Sequence, residues 1–177
     1  AINVHNVAFC GSTTQAFYMI LKTIARKGDV MIVPTPTYGI FASIAEKQGI
    51  HIEPIPLRYE NDYLIDFDMI DEKTAQDAKY MIVSYPNNPT CGVANDEFYK
   101  KLIVFAKKYN IMVLHDNAYS ELLFEGPGRS FLEFEGAKDV GIEFNSLSKT
   151  YGLAGARIGF ALGNKEIIGK LKSLKSN

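Results

Sequence analysis

The chain has almost no net charge: 19 Lys and Arg stand against 20 Asp and Glu among 177 residues, a formal −1. A near-neutral chain with scattered basic residues lacks the electrostatic footprint of a nucleic-acid binder. No stretch approaches the roughly 18–20 consecutive apolar residues of a membrane span, and no charged-then-apolar leader opens the chain. Neither nucleic acid nor membrane is therefore expected as a partner. Cys10 and Cys91 form no CxxC pair and are too few for a disulfide framework, which points to a reducing, cytoplasmic compartment. His5, His51 and His115 lack metal-ligand spacing, so no metal site is expected. Gly152, Gly155 and Gly159 have the wrong intervals for GxGxxG, and no GxxxxGK(S/T) is present. Ser12 lacks the setting of a nucleophile elbow. Repeats, low-complexity tracts and linkers rich in Gly, Ser or Pro are absent as well.

What is present is a globular composition, 47% hydrophobic and 22% charged. At this length about 68–70% of the unfolded surface can be buried, enough for one full core. Short β-branched runs at 30–33, 51–55, 80–84, 111–114, 140–144 and 158–162 punctuate longer helical stretches. Such alternation predicts βαβ units on a largely parallel sheet, an α/β fold. Phe17, Ile20, Leu21 and Ile24 give residues 13–26 one apolar face, with Gly28 as the stop. Residues 95–109 start at Asn95 as N-cap and bury Phe98, Leu102, Phe105 and Ala106. A last helix is expected over 165–175. The chain opens in strand-like sequence and stops on a Lys-rich helix, so the α/β core is expected to be part of a larger protein.

Ligands of open α/β sheets bind beyond the carboxyl ends of the strands, so the residues following each strand are the candidates. Gly11-Ser12-Thr13-Thr14 opens a helix whose free N–H groups suit a phosphate, although an ordinary Ser/Thr N-cap is the simpler reading of that stretch alone. Two prolines stiffen 34–38 and present Tyr38, either to a planar ligand or as a turn tyrosine covering the core. Residues 85–90 fix a pair of carboxamides, Asn87 and Asn88, between prolines. His115-Asp116-Asn117-Ala118-Tyr119 sets a carboxylate and a phenol three residues apart, with His115 most simply a strand residue. Ser146-Leu147-Ser148-Lys149 is followed by Arg157 eight residues after the lysine. Each element alone is weak. Their order along the chain is what carries information.

The strings YPNNPT (85–90), HDNAY (115–119) and NSLSKTYGLAGARIGFALGN (145–164) resemble the large domain of pyridoxal-phosphate (PLP) aminotransferases of fold type I, class I/II. Within these the chain is most similar to the LL-diaminopimelate aminotransferase group. The resemblance implies a three-layer α/β/α fold with a mostly parallel mixed sheet, residues 1–177 being the PLP-binding large domain. It makes Lys149, Asp116 and Tyr119 the catalytic residues. Lys149 would form the internal Schiff base, its amine suited to a depressed pKa in a buried site. Asp116 would keep the pyridine nitrogen protonated, so that the ring acts as an electron sink. Asn88 and Tyr119 would donate to the ring's phenolate oxygen and Tyr38 would stack on its face. Ser12, Thr13, Ser146, Ser148 and Arg157 would hold the phosphate, with Ser148 alternatively a local cap.

The resemblance also implies amino-acid and 2-oxo-acid substrates and a homodimer in the full-length protein. The family's N-terminal arm and C-terminal small domain are not part of the matched residues, so weak or no activity is expected of residues 1–177 alone. C–S bond cleavage by β-elimination, cyclopropane amino-acid synthesis and a non-catalytic PLP-sensing domain use the same residue set and remain open. One departure stands out: Cys91 occupies the position after Asn-Pro-Thr where the family has Gly, with Gly92 next. It implies a local backbone change or a tolerated non-glycine conformation, and it makes Cys91 a candidate for oxidation, although an inert buried thiol is the simpler reading.

Overall fold

The structure is a computed structural model that describes residues 2–176. Seven strands form one sheet in the order β1-β7-β6-β5-β4-β2-β3: β1 (Val7–Cys10), β2 (Val30–Thr35), β3 (His51–Pro56), β4 (Ala78–Ser84), β5 (Met112–Asp116), β6 (Gly141–Ser146) and β7 (Gly159–Gly163). The strands β2 to β6 run parallel, while β7 is antiparallel to both its neighbours. All six β-branched runs are strands, and the expected parallel α/β sheet stands with β7 as its exception.

Helices cover both faces, giving three layers. On one face α1 (Thr13–Ile24), α2 (Ile40–Lys47) and α7 (Lys165–Ser176) bury Phe17, Ile20, Leu21, Phe41, Ile168 and Leu171 against Met31, Ile82, Leu114, Ile142 and Phe144. On the other, α3 (Glu72–Asp77), α4 (Asp96–Tyr109) and α5 (Ala137–Val140) bury Ala75, Phe98, Leu102, Ala106 and Ala137 against Ile32, Met81, Val83 and Val113. Neighbouring residues of β4 and β5 thus go to opposite clusters. A strand covered on both sides reads as a continuous apolar run, which is why periodicity located these strands without revealing their faces.

The edges follow from local chemistry. Pro54 and Pro56 lie in β3, which pairs with β2 alone, so their missing N–H groups cost no ladder bond. No long helix bridges β3 to β4. Residues 57–77 instead hold 3₁₀ turns at Tyr59–Asn61 and Phe67–Met69 and the short α3, with Asp66 and Asp71 accepting from Asp68 N and Thr74 N. Helix α1 ends at Ile24, ahead of the expected 26, because the Asp29 carboxylate draws the Arg26 N–H into a turn at 2.8 Å. Gly28, at φ +91°, supplies the left-handed step of that turn.

The link from β6 to β7 positions the site. Residues 147–158 hold only the short α6 (Leu147–Thr150) and a 3₁₀ turn, Ala154–Ala156. The chain therefore turns back beside β6 as an antiparallel strand, keeping Lys149 and Arg157 at the sheet's carboxyl edge. Among the described residues no helix is long and apolar enough to cross a membrane.

Asn95 caps α4 as the sequence predicts, its Oδ1 accepting from Phe98 N at 2.9 Å. Asn95→Ala should cost about 1 kcal/mol in urea denaturation with an unchanged m-value. An unmoved midpoint would mean that this cap contributes nothing.

Candidate functional site

Strand register assembles one corner of the site. Cys10 of β1 pairs with Gly159 of β7, which pairs in turn with Ser146 of β6. The turn leaving β1, the entry to β7 and the exit from β6 therefore lie side by side. Ser12 caps α1, its Oγ accepting from Gln15 N at 3.0 Å, while Gln15 Oε1 accepts from Gly11 N at 2.6 Å. The N–H groups of the first turn, Thr13 among them, point out of the positive end of α1 with no intrahelical acceptor. A Cβ on Gly159 would lie 2.8 Å from Ser12 C and 2.9 Å from Thr13 N, so β7 reaches this turn only because residue 159 is glycine.

Arg157, two residues earlier, takes a left-handed φ of +53°. Its carbonyl passes 3.8 Å from where a Gly11 Cβ would be, and its exposed guanidinium donates from Nη1 to Ala154 O at 2.9 Å. Ser146 caps α6 by accepting from Ser148 N at 3.1 Å, so the local cap is Ser146 and not Ser148. The segments bearing Ser12, Thr13, Ser146, Ser148 and Arg157 thus meet at this corner.

Asp116 ends β5, with Ser84 of β4 and Phe144 of β6 as its register partners. It is 5% exposed, its Oδ1 has no hydrogen-bond partner, and neither has the Oγ of Ser84. Burial pushes its carboxyl up to about 6, against the opposing pull of the His115 charge and the Ala118 N–H. A buried carboxylate oxygen without a donor is costly, and the arrangement suits an N–H donor or a cation brought by a ligand.

Tyr119 lies half-buried in the loop that leaves β5, and Lys149 Nζ is 5.6 Å from its ring centroid. That is cation–π range, but Lys149 is exposed in this structure and not in the buried site expected of its amine, because the short α6 that carries it lies outside the sheet's core; it has no ion-pair partner among the described residues. Tyr119 and Asn88 line a cavity of about 560 Å³ together with Pro86, Cys91, Val93 and Leu122. Tyr38 is 44% exposed and rests edge-on against Phe41, the ring centroids 5.6 Å apart. Among the described residues it makes no hydrogen bond or ring contact with the other candidates.

Residues to which the sequence assigned no role in the site hold this frame. Asn87 donates from Nδ2 to Pro36 O at 3.1 Å and to Thr90 Oγ1 at 2.8 Å, and its Oδ1 accepts from Thr37 Oγ1 at 3.1 Å. It ties the loop after β4 to the loop after β2 and leaves the Asn88 carboxamide uncommitted. The Asn-Asn pair was visible in sequence, but only burial separates the staple from the free side chain. Gly159 and Ser84 gave no signal, since their importance lies in register partners far away in the chain.

Cys91 corrects one expectation: it is exposed, not an inert buried thiol. Its φ of +60° is the tolerated non-glycine conformation, at a cost on the order of 1 kcal/mol. The position that needs glycine is Gly92, where a Cβ would lie 2.9 Å from Asp62 O. His115 is the buried strand residue that the sequence predicts.

Comparison with known proteins agrees with this geometry. The family described as aminotransferase class I and II matches residues 1–177. An LL-diaminopimelate aminotransferase of Dehalococcoides mccartyi is 46% identical over 151 residues, which is 85% of this chain and 39% of that protein. The substrate-bound structure of BacF from Bacillus subtilis superposes with a TM-score of 0.95 at 40% identity, covering 98% of this chain and 44% of that one. A probable N-succinyldiaminopimelate aminotransferase from Thermus thermophilus gives 0.92 at 32% identity, covering 97% and 46%. The chain thus spans about two fifths of the length of the curated relatives it matches.

The carboxyl of Asp116 sets a pH dependence. Its value in the fold, about 6, lies above the ordinary 3.8, so between these values the folded chain binds more protons than the unfolded one. Stability is then lost as pH rises from about 4 to about 6, by at most ~3 kcal/mol. Asp116→Asn should remove that loss, leaving the unligated variant more stable than the parent at pH 7 and little different at pH 4. Urea midpoints at the two pH values check this. A parent and variant that differ equally at both would refute the assignment.

Proposed function

Since the chain belongs to the class I and II aminotransferase family, we propose that residues 1–177 are the cofactor-binding unit of an enzyme that moves an amino group between an amino acid and a 2-oxo acid with pyridoxal 5′-phosphate. The observation that carries this reading is the unpartnered Oδ1 of buried Asp116. It fits a protonated pyridine nitrogen: the ring's N–H supplies the missing donor, and its positive charge offsets the burial that raises the carboxyl. When bound, the ring supplies an electron sink for charge developing at the substrate's α-carbon.

The chain's own residues divide the remaining work. Asp116 holds the proton on the ring nitrogen through Oδ1. Lys149 Nζ would hold the cofactor through its aldehyde, and its amine would serve as the base for the α-proton. Its amine lies 5.6 Å from the centroid of the Tyr119 ring; the Tyr119 hydroxyl and the Asn88 carboxamide would donate to the cofactor ring's phenolate oxygen. The exposed ring of Tyr38 offers a stacking surface.

At the corner built around Gly159, the first-turn N–H groups of α1 and the hydroxyls of Ser12, Thr13, Ser146 and Ser148 suit a phosphate dianion. Arg157 Nη1 is engaged with Ala154 O, which leaves other guanidinium donors for charge-assisted bonds to the phosphate. Relatives named for LL-diaminopimelate support a diamino dicarboxylate as the first donor to assay. The reading includes a homodimer for the full-length protein and slow turnover, if any, by residues 1–177 alone.

Arg157→Lys in the full-length protein should weaken PLP binding by about tenfold or more, since an ammonium cannot reproduce bidentate contacts. Equal affinity would mean that the guanidinium does not hold the phosphate. The reaction itself is tested by adding amino donors to the PLP-loaded protein without an acceptor. One equivalent of 2-oxo acid per site is expected, with the amino group retained on the protein; release of thiol or free ammonia would replace transfer by elimination.

A further inference from the structure

Behind Asp116 lies a buried charged cluster that the proposed chemistry does not use. Alternation along β5 turns Val113 and His115 towards α4 and Leu114 and Asp116 towards the opposite face. His115 is 0% and Glu143 1% exposed, directly opposite one another in the β5–β6 register. His115 Nδ1 lies 3.2 Å from Glu143 Oε2, and its Nε2 lies 3.4 Å from the Tyr99 hydroxyl of α4. A carboxylate only accepts, so Nδ1 carries the hydrogen of that contact.

Glu143 also accepts from Ser130 Oγ at 3.0 Å, from Phe131 N at 2.8 Å and from Asn145 Nδ2 at 2.9 Å. Burial pushes its carboxyl up, but the bond and charge of His115, together with Asn145 and Ser130, bring it below its ordinary value. These donors have a pattern. His115 lies just before the loop 117–130 that carries Tyr119, Ser130 and Phe131 lie where that loop returns, and Asn145 precedes Ser146.

The rest of the loop base is closed by the same residues' neighbours. Asn117 N donates to Phe144 O at 2.8 Å, and Asn117 Nδ2 donates to Arg129 O at 3.2 Å. Gly128 lies so close to the Ser120 carbonyl that any side chain there would collide with it. Both limbs of the loop are thus bound to β6 and to each other, with Glu143 as the shared acceptor.

We propose that Glu143 and His115 are positioning residues: a buried carboxylate–imidazole pair that clasps the base of the 117–130 loop and fixes how Tyr119 and Asp116 face the cofactor. Stability alone is a poor account of the pair, since apolar side chains of similar volume fill such a space at lower desolvation cost. What an apolar pair cannot do is hold the Ser130 hydroxyl and the Phe131 N–H at defined positions. This role rests on the reading of the site given above.

The test uses the full-length protein loaded with PLP. Glu143→Gln keeps the shape while removing the charge and one acceptor oxygen. It should retain the far-ultraviolet circular dichroism of the fold, speed hydrogen exchange of the Phe131 amide by roughly tenfold or more, and change the visible circular dichroism per bound PLP. Pyridoxal is achiral, so that last signal reports how the protein holds the ring, which a purely structural role would not move. If Glu143→Gln does not fold, Ser130→Ala and Tyr99→Phe remove single members of the network and carry the same readouts in the same direction. Folded variants with unchanged visible dichroism and unchanged Phe131 protection overturn the proposal. A parent protein with no visible band at all overturns the cofactor reading, and this role with it, so the two failures are distinguishable.

Discussion

Three strands meet in one row at Cys10, Gly159 and Ser146, and that row closes because residue 159 has no side chain. A methyl group there would press into the Ser12–Thr13 backbone, moving either β7 or the start of α1. The close approach brings the carbonyl of Arg157 alongside Gly11 and turns the α6 segment with Lys149 back over the sheet's carboxyl edge. An antiparallel strand in an otherwise parallel succession is what makes this possible. A parallel β7 would have carried the chain to the other end of the sheet, away from every other candidate residue.

Against this rigid corner stands a deliberate energetic weakness. Asp116 is buried at the end of a central strand with one oxygen unused and its carboxyl raised to about 6, a state the unligated fold holds at a cost. Sites that must receive a charged group are where such a cost is found, because a binding partner recovers it. The cluster on the opposite face works differently. Glu143 is as deeply buried, yet its oxygens are met by His115, Ser130, Phe131 and Asn145, so its carboxyl falls instead of rising. Two buried carboxylates on adjacent strands thus have opposite roles, one satisfied and holding a loop, the other unsatisfied and held open.

Much of this was legible in the sequence for a physical reason. Parallel strands buried on both faces must be apolar and β-branched, so β2, β4, β5 and β6 announced themselves. Helix ends such as Asn95 and Ser12 were legible from cap chemistry, and the candidates Asp116, Lys149 and Arg157 from their order at strand ends. What could not be read depends on residues distant in the chain. The antiparallel sense of β7, the need for glycine at 159 and the His115–Glu143 pair follow from register between strands, and the choice of Asn87 over Asn88 as the loop staple follows from its burial against the loop after β2. Cys91 was misjudged as buried because its exposure depends on a turn whose glycine requirement lies one residue later, at Gly92.

The central claim is that the carboxyl edge of this sheet holds pyridoxal phosphate with Lys149 as its covalent anchor. The most direct measurement is borohydride reduction of the full-length, PLP-treated protein followed by peptide mass mapping. The account predicts a visible absorption band that disappears on reduction and a single pyridoxyl adduct on Lys149, absent from Lys149→Ala. An adduct spread over surface lysines, or one unchanged by that substitution, would contradict it.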